Sequence, residues 1–222
     1  MDVPSVITID GPAGAGKSTL GELLARRLGY LYFDTGVMYR ALAYAASIAQ
    51  IDQDDADTLG QLAETTTIEV SPPHVEDGRQ YTVLVDGHDA TWQIRRPEVE
   101  GLVSAVARHP QVRQVLRQRQ RQIGQAGRVV MVGRDVGSVV MPDAPLKIFL
   151  EASLDERARR RTAEVNAREG HADQQRVRAD VARRDALDRH VMQPAPDALI
   201  IDCDPLTPEQ EVELILAHIR RI

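Results

Sequence analysis

Ile7-Thr8-Ile9-Asp10-Gly11-Pro12-Ala13-Gly14-Ala15-Gly16-Lys17-Ser18-Thr19-Leu20 is the stretch on which the fold turns. Residues 3–10 are β-branched and apolar, and they read as a strand ending at a glycine turn. From residue 18 to 28, Leu20, Leu23, Leu24 and Leu28 recur at helical spacing, and Gly29 follows as a stop signal. Between strand and helix, Gly11 to Ser18 matches G-x-x-x-x-G-K-[ST] in full, the pattern of a phosphate-binding P-loop. Glycines let backbone N–H groups turn inward around phosphate oxygens with no Cβ atoms in the way. The helix that follows aims its positive end at the same anion. Lys17 reaches the β- and γ-phosphates and the Ser18 hydroxyl ligates Mg²⁺ in this motif. The expected ATP-binding set is Gly11, Pro12, Ala13, Gly14, Ala15, Gly16, Lys17, Ser18 and Thr19. The complete match in strand–turn–helix context favours this reading over a plain glycine-rich turn.

Lysine usage supports it. The chain carries 27 Lys and Arg together, and only Lys17 and Lys147 are lysines. Arg is the routine cation here, so a lysine at position 17 is not routine. A compact ammonium fits a cramped phosphate cradle where a planar guanidinium does not.

Outward from the motif, residues 31–33 read as a short strand and 36–49 as a helix entered through Asp34-Thr35-Gly36. A short acidic helix follows at 54–64. Residues 66–70, 81–85 and 88–91 are β-like runs split by Pro72-Pro73, Asp77-Gly78 and Asp86-Gly87, which predicts small antiparallel hairpins. Helices are expected at 97–108, with Pro97 at its first position, and at 110–123. Strands are expected at 128–132, 146–150 and 198–201, and helices from 155, over 175–189 and over 208–220. Residues 164–174 are polar and without period, so they read as a loop. Alternating strands and helices indicate an α/β fold with a parallel sheet and flanking helices. The expected organisation is a P-loop core of residues 1–65 and 124–222, an antiparallel β-containing acceptor-binding insert at 66–123, and a lid loop at 164–174.

At 222 residues, with 43% hydrophobic and 27% charged residues, the chain fits one soluble domain. The formal charge of -6 argues against a dedicated nucleic-acid binder. No apolar run approaches the roughly 20 residues that span a bilayer. Cys203 is the single cysteine, so no intrachain disulfide forms; it reads as a small buried residue at the end of a strand. The histidines show no metal-ligand spacing and read as surface or loop residues, and Trp92 as packing. Base-rich stretches at 95–134 and 157–189 are either solvated helix faces or arginines gathered for phosphate.

A P-loop establishes nucleotide binding, not the reaction. A GTPase would carry Asn-Lys-x-Asp, which is missing; a motor ATPase needs a strand ending in paired acids and more chain. Small size and an acceptor-like insert favour a small-molecule kinase. Acceptors such as AMP, UMP or shikimate are open on these grounds, as is a regulatory nucleotide-binding module or an RNA binder using 95–134.

The chain resembles the bacterial cytidylate kinase family nearly end to end. The matching stretches include Asp34-Thr35-Gly36-Val37-Met38-Tyr39-Arg40, Asp86-Gly87-His88-Asp89, Ile94-Arg95-Arg96-Pro97-Glu98-Val99, Gly133-Arg134-Asp135-Val136-Gly137, Lys147-Ile148-Phe149-Leu150, Glu156-Arg157-Ala158-Arg159-Arg160 and Arg184-Asp185. The resemblance implies transfer from ATP with Mg²⁺ to CMP or dCMP. It places Thr35 and Arg40 on the acceptor, Ser104, Arg113 and Asp135 at the cytosine edge, Arg134 at the acceptor phosphate, and Arg184 and Asp188 near the ribose. It implies Lys17, Arg134, Arg157, Arg160 and Arg161 as the transfer cations. The roles suit the chemistry. Cytosine offers an N4 amino donor that a carboxylate accepts, and uracil has a carbonyl there; a buried polar group left unpaired costs about 1–3 kcal/mol. Asp10 and Asp135 are expected as metal-water or substrate partners. A cytoplasmic monomer is expected, its partners small nucleotides, with neither nucleic acid nor membrane. One departure stands out: Val191 occupies the position where the family carries a phosphate-binding arginine, and Arg189 is the nearest cation able to replace it.

Overall fold

A computed structural model describes residues 3–188 and 192–221. In chain order the elements are β1 (Val6–Asp10), α1 (Lys17–Leu28), β2 (Leu31–Asp34), α2 (Gly36–Ile48), α3 (Ala56–Thr65), β3 (Ile68–Ser71), β4 (Thr82–Val85), β5 (His88–Asp89), α4 (Pro97–Ala107) and α5 (Pro110–Gln125). They continue with β6 (Val129–Val132), β7 (Leu146–Glu151), α6 (Leu154–Glu169), α7 (Gln174–Asp188), β8 (Leu199–Asp202) and α8 (Pro208–Ile219). A single π turn, Val136–Val140, follows β6; the sequence pattern gave no sign of it. The chain forms two compact units, residues 1–30 with 130–222, and residues 31–129.

The first unit is built on a sheet in the order β6-β1-β7-β8. β1 pairs parallel with β7, from Ile7 opposite Leu146 to Asp10 opposite Phe149, and β7 pairs parallel with β8. All of β1 and all of β6 are buried, and β7 is buried up to Glu151. Continuous apolar strands of this kind need both sheet faces covered by helices, as parallel sheets do. α1 packs on α8, where Arg27 pairs with Glu213 at 2.8 Å, and α6 packs on α7.

The second unit begins with β2. There the Leu31 N–H donates to Arg128 O at 2.8 Å, tying the two ends of this unit together. Its helices pack in pairs, α2 with α4 and α3 with α5. Met38, Leu42, Leu59, Ile94 and Leu116 are fully buried between them. This pairing explains why the unit starts at Leu31 and not at residue 66, where the hairpins begin. β3, β4 and β5 form a separate antiparallel sheet. Asp86 and Gly87 both have positive φ, 49° and 78°, the type I′ turn their dipeptide predicts. Trp92 is not a packing residue: it is 46% exposed and its Nε1 donates to Asp77 Oδ2 at 2.9 Å. His109, expected at the surface, is buried, with Nε2 at 2.8 Å from Gln53 O.

The loop expected at 164–174 is largely helical. α6 runs to Glu169, Gly170 caps it with φ 81°, and α7 starts at Gln174. Apolar periodicity is weak there because α6 is sustained by other means. The Ser153 side chain accepts the Glu156 N–H, and Arg159–Glu156, Arg160–Glu156 and Arg161–Glu164 pairs run at helical spacing along it. Arg189, His190 and Val191, with the proposed replacement of the family arginine, lie outside the described residues. Replacing Ser153 with alanine is expected to cost about 1 kcal/mol, read as a lower denaturation midpoint at unchanged slope. An unchanged midpoint would mean that the ion pairs to Glu156 alone secure the start of α6.

Candidate active site

The P-loop leaves β1 through Gly11, whose φ is 146°. A Cβ at this position would lie 2.5 Å from Leu150 O, so the loop and β7 approach closely only because residue 11 is glycine. Gly16 caps α1 in the left-handed region with no side-chain hydrogen bond to the helix. No side chain caps this helix start, a geometry that suits an anion. Lys17, Ser18 and Thr19 form that first turn and line a cavity of about 420 Å³ with Ala13, Gly14 and Gly16. Arg161 and Arg184 line the same cavity from α6 and α7. Of the transfer and ribose residues expected in this unit, Lys17, Arg161 and Arg184 are the ones that line this cavity.

Three of the loop carbonyls, those of Pro12, Ala13 and Ala15, are met by side-chain donors. Pro12 O accepts the Lys17 ammonium at 2.7 Å and the Ala15 N–H at 3.3 Å. Ala13 O accepts from Arg157 Nη1 at 3.1 Å, and Ala15 O from Arg160 Nη1 at 3.2 Å. Arg157 also donates to Ala152 O and forms a fork with Asp185, at 2.9 and 2.6 Å. Arg160 donates to Cys203 O at 2.7 Å and to Glu156 at 2.7 Å. Hydrogen bonds from Arg159 and then Arg160 hold the Glu156 carboxyl down at about 2. Arg157 and Arg160, expected to reach the transferring phosphate, are instead engaged with the backbone of the loop. Arg161, one residue further round α6, pairs with the exposed Glu164 at 2.8 Å and lines the cavity.

Asp10 is likewise engaged with backbone groups. Its Oδ1 accepts the Val136 N–H at 2.8 Å and its Oδ2 the Gly137 N–H at 2.7 Å. Burial pushes the carboxyl up to about 6, against the Gly137 and Val136 amides; Asp135 adds to the rise and Lys17 opposes it. Asp10 therefore ties down the segment that carries Arg134 and Asp135. Those two are half-buried between β6 and the π turn, and Asp135 O accepts the Val139 and Val140 N–H groups. The backbone of Asp188 ends α7, and its side chain lies outside the description.

In the second unit, Thr35 is buried at the head of α2, and its carbonyl accepts from Gln120 Nε2 at 3.3 Å. Asp34 Oδ1 accepts the Gly36 N–H at 2.9 Å and so caps the same helix. One turn on, Arg40 donates from Nε and Nη2 to Glu100 at 3.3 and 3.2 Å. Tyr81 is buried nearby. Burial pushes its hydroxyl up to about 12, with Asp34 adding and Arg95 and Arg40 opposing. Arg95 donates to the Tyr81 hydroxyl at 2.6 Å and lies over both the Tyr81 and Trp92 rings. Ser104 is exposed on α4 and Arg113 half-buried on α5. Sequence reading missed Tyr81, Arg95 and Glu100 around Arg40, and Asp185 beside Arg157. Arg95 and Asp185 fall in stretches that match the family; Glu100 and Tyr81 carried no signal.

The Arg157–Asp185 fork is 7% and 27% exposed on its two sides. A double-mutant cycle of Arg157→Lys and Asp185→Asn is expected to give a coupling of about 1–3 kcal/mol, below the 3–5 of a fully buried pair because Asp185 is partly solvated. A coupling near zero would show that the fork does not hold α7 to the loop.

The family model described as cytidylate kinase matches residues 7–221. A protein of Roseiflexus castenholzii named cytidylate kinase is 64% identical over 220 residues, covering 99% of this chain and 95% of its own length. One of Chloroflexus aggregans with the same name is 61% identical over 216 residues, covering 97% and 94%. The solved structure of shikimate kinase from Bacteroides thetaiotaomicron is 15% identical and superposes with a TM-score of 0.50 over 97% of this chain and 98% of that one, a likeness of fold. The chain belongs to the cytidylate kinase family.

Proposed function

We propose that the protein transfers the γ-phosphoryl group of ATP to CMP and dCMP, with Mg²⁺, by direct in-line displacement. The observation that carries this is the cavity above the P-loop, where Lys17, Ser18, Arg161 and Arg184 converge in a chain of this family. An acceptor phosphate oxygen attacks the γ-phosphorus as the bond to the β–γ bridging oxygen breaks, and that electron pair leaves with ADP. The acceptor's second pKa is about 6, so its oxygen is already anionic near neutrality and no general base is required. What the chain must overcome is repulsion between two anions, which Lys17, Arg134 and Arg161 answer by position and charge. The bent glycine cradle and the hydroxyl at the first turn of α1 fit a metal–nucleotide complex. Ser18 is the residue that would hold Mg²⁺, which supplies charge neutralisation across the β- and γ-phosphates.

Asp135, Ser104 and Arg113 are proposed to read the cytosine edge. Thr35, Arg40 and Arg134 are proposed to hold the acceptor phosphate end, and Arg184 and Asp188 the ribose. Arg157 and Arg160 are proposed to act by bracing the P-loop carbonyls. The end of α6 and its connection to α7, residues 164–174, are proposed as a lid, because Glu164 and Arg161 line the cavity.

Release of ADP measured across CMP, dCMP, UMP and AMP is expected to be fastest with CMP and dCMP, and Lys17→Ala is expected to abolish it while leaving the unfolding curve intact. Near-normal turnover of the lysine variant would sink the assignment of the P-loop, and preference for AMP or UMP would sink that of the acceptor. Amides of 164–174 are expected to exchange more slowly with a bisubstrate analogue bound. Equal exchange with and without it would remove the lid.

A further inference from the structure

The segment Gly133-Arg134-Asp135-Val136-Gly137 is not itself strand, yet both of its ends are fixed to β1. The Gly133 N–H donates to Ile9 O at 3.1 Å. The Val136 and Gly137 N–H groups donate to the two oxygens of Asp10. Asp10 is 5% exposed and is the residue immediately before Gly11, so its carboxylate is rooted where β1 becomes the P-loop. Gly137 is shaped to this contact: a Cβ there would stand 2.7 Å from Thr8 Oγ1 and 3.2 Å from Asp10 Oδ2.

We infer that Asp10 is a positioning residue that sets Asp135 and Arg134 relative to the P-loop, and thereby fixes how sharply the enzyme separates cytosine from uracil. This rests on the proposed reading that Asp135 faces the acceptor base. With one amide of the segment on each oxygen, Asp10 acts on the acceptor through the segment it clamps. A carboxylate must meet the cytosine amino group within hydrogen-bond tolerance, and a displacement of about 1 Å at a reacting or reading group costs up to about 10²-fold. One clamp rooted at the start of the P-loop puts the base-reading segment and the donor loop on the same rigid support.

The test compares the full-length protein with Asp10→Asn, Gly137→Ala and Asp135→Asn, using ATP with CMP and with UMP. Asparagine keeps one acceptor oxygen and turns an NH₂ group toward the other amide. The expected result for Asp10→Asn is a rise of about tenfold in KM for CMP, the loss of one charge-assisted hydrogen bond, with KM for ATP within about twofold. The CMP-to-UMP ratio of kcat/KM should fall by a similar factor, approaching that of Asp135→Asn. Gly137→Ala leaves Asp10 in place and disturbs the clamp from the other side, so it should move the same two quantities if Asp10→Asn does not fold. A uniform loss of kcat for both acceptors, with KM and the ratio unchanged, would reduce Asp10 to a merely structural residue and overturn the inference. So would parent-like kinetics in both folded variants. A parent protein that does not phosphorylate CMP would overturn the proposed function, and the inference with it.

Discussion

A loop that turns its N–H groups inward toward an anion must turn its carbonyls outward, and every carbonyl so turned needs a donor. Much of the first unit answers that constraint. Pro12 O, Ala13 O and Ala15 O are met by Lys17, Arg157 and Arg160 in turn. Residues 157 and 160 stand three apart on α6, so one helix face delivers both guanidinium groups to consecutive turns of the loop. Each guanidinium has donors to spare, and these reach the frame. Arg157 holds Ala152 O and Asp185; Arg160 holds Cys203 O and Glu156. The ends of β7 and β8, the first turn of α6 and the last turn of α7 are thereby tied to one loop. Cys203 follows from this placement: it is fully buried, and burial and then Glu211 push its thiol up to about 12, which suits an inert packing residue.

The same accounting separates what the sequence revealed from what it hid. The P-loop, the parallel strands and the Asp86-Gly87 hairpin were legible because each depends on local residue type: glycine where φ is positive, continuous apolar runs where a strand is covered on both faces. The extent of α6 was not, because that helix is held by a Ser153 cap and by charge pairs and carries almost no apolar period. Residues 164–169 looked like loop for that reason. The size of the second unit was hidden too, since α2 and α3 belong with α4 and α5 through contacts distant in sequence. Likeness named Arg157 and Arg160 for the transferring phosphate and gave no hint of their bonds to Ala13 O and Ala15 O. A conserved-looking motif names residues that matter near a phosphate but does not say which touch it and which hold the loop that does. Only the hydrogen-bond partners make that distinction.

Charge placement in the second unit follows a related rule. Arg40 meets Glu100 through two donors and lies about 4.0 Å from Asp34, and Tyr81 and Arg95 complete the cluster. Every cation in the group has a hydrogen-bonded or ionic partner on its own chain. Half-buried guanidinium groups left bare would repel one another and pay for their lost hydration without return. The cluster therefore stores positive charge in neutralised form, which keeps the unit stable in the absence of an anion.

Exposure then decides which of these arginines can exchange partners. An ion pair open to water contributes about 0–1 kcal/mol, because solvent competes for both ends. A hydrogen bond to a charged phosphate oxygen in a closed site contributes about 1.5–3 kcal/mol. Arg161 and Glu164 are 45% and 59% exposed, and Arg40 and Glu100 are 26% and 51% exposed. For these, an incoming phosphate outbids the carboxylate at small cost. Arg157, 7% exposed in its fork with Asp185 and committed to two backbone carbonyls besides, loses more than a phosphate returns. Two kinds of arginine thus stand on one helix within five residues of each other: one fixed to shape the loop, one held loosely enough to change partners. Four residues separate them and turn the side chain by only about 40°, so the difference lies in what each meets: Asp185 and two backbone carbonyls for Arg157, an exposed carboxylate for Arg161.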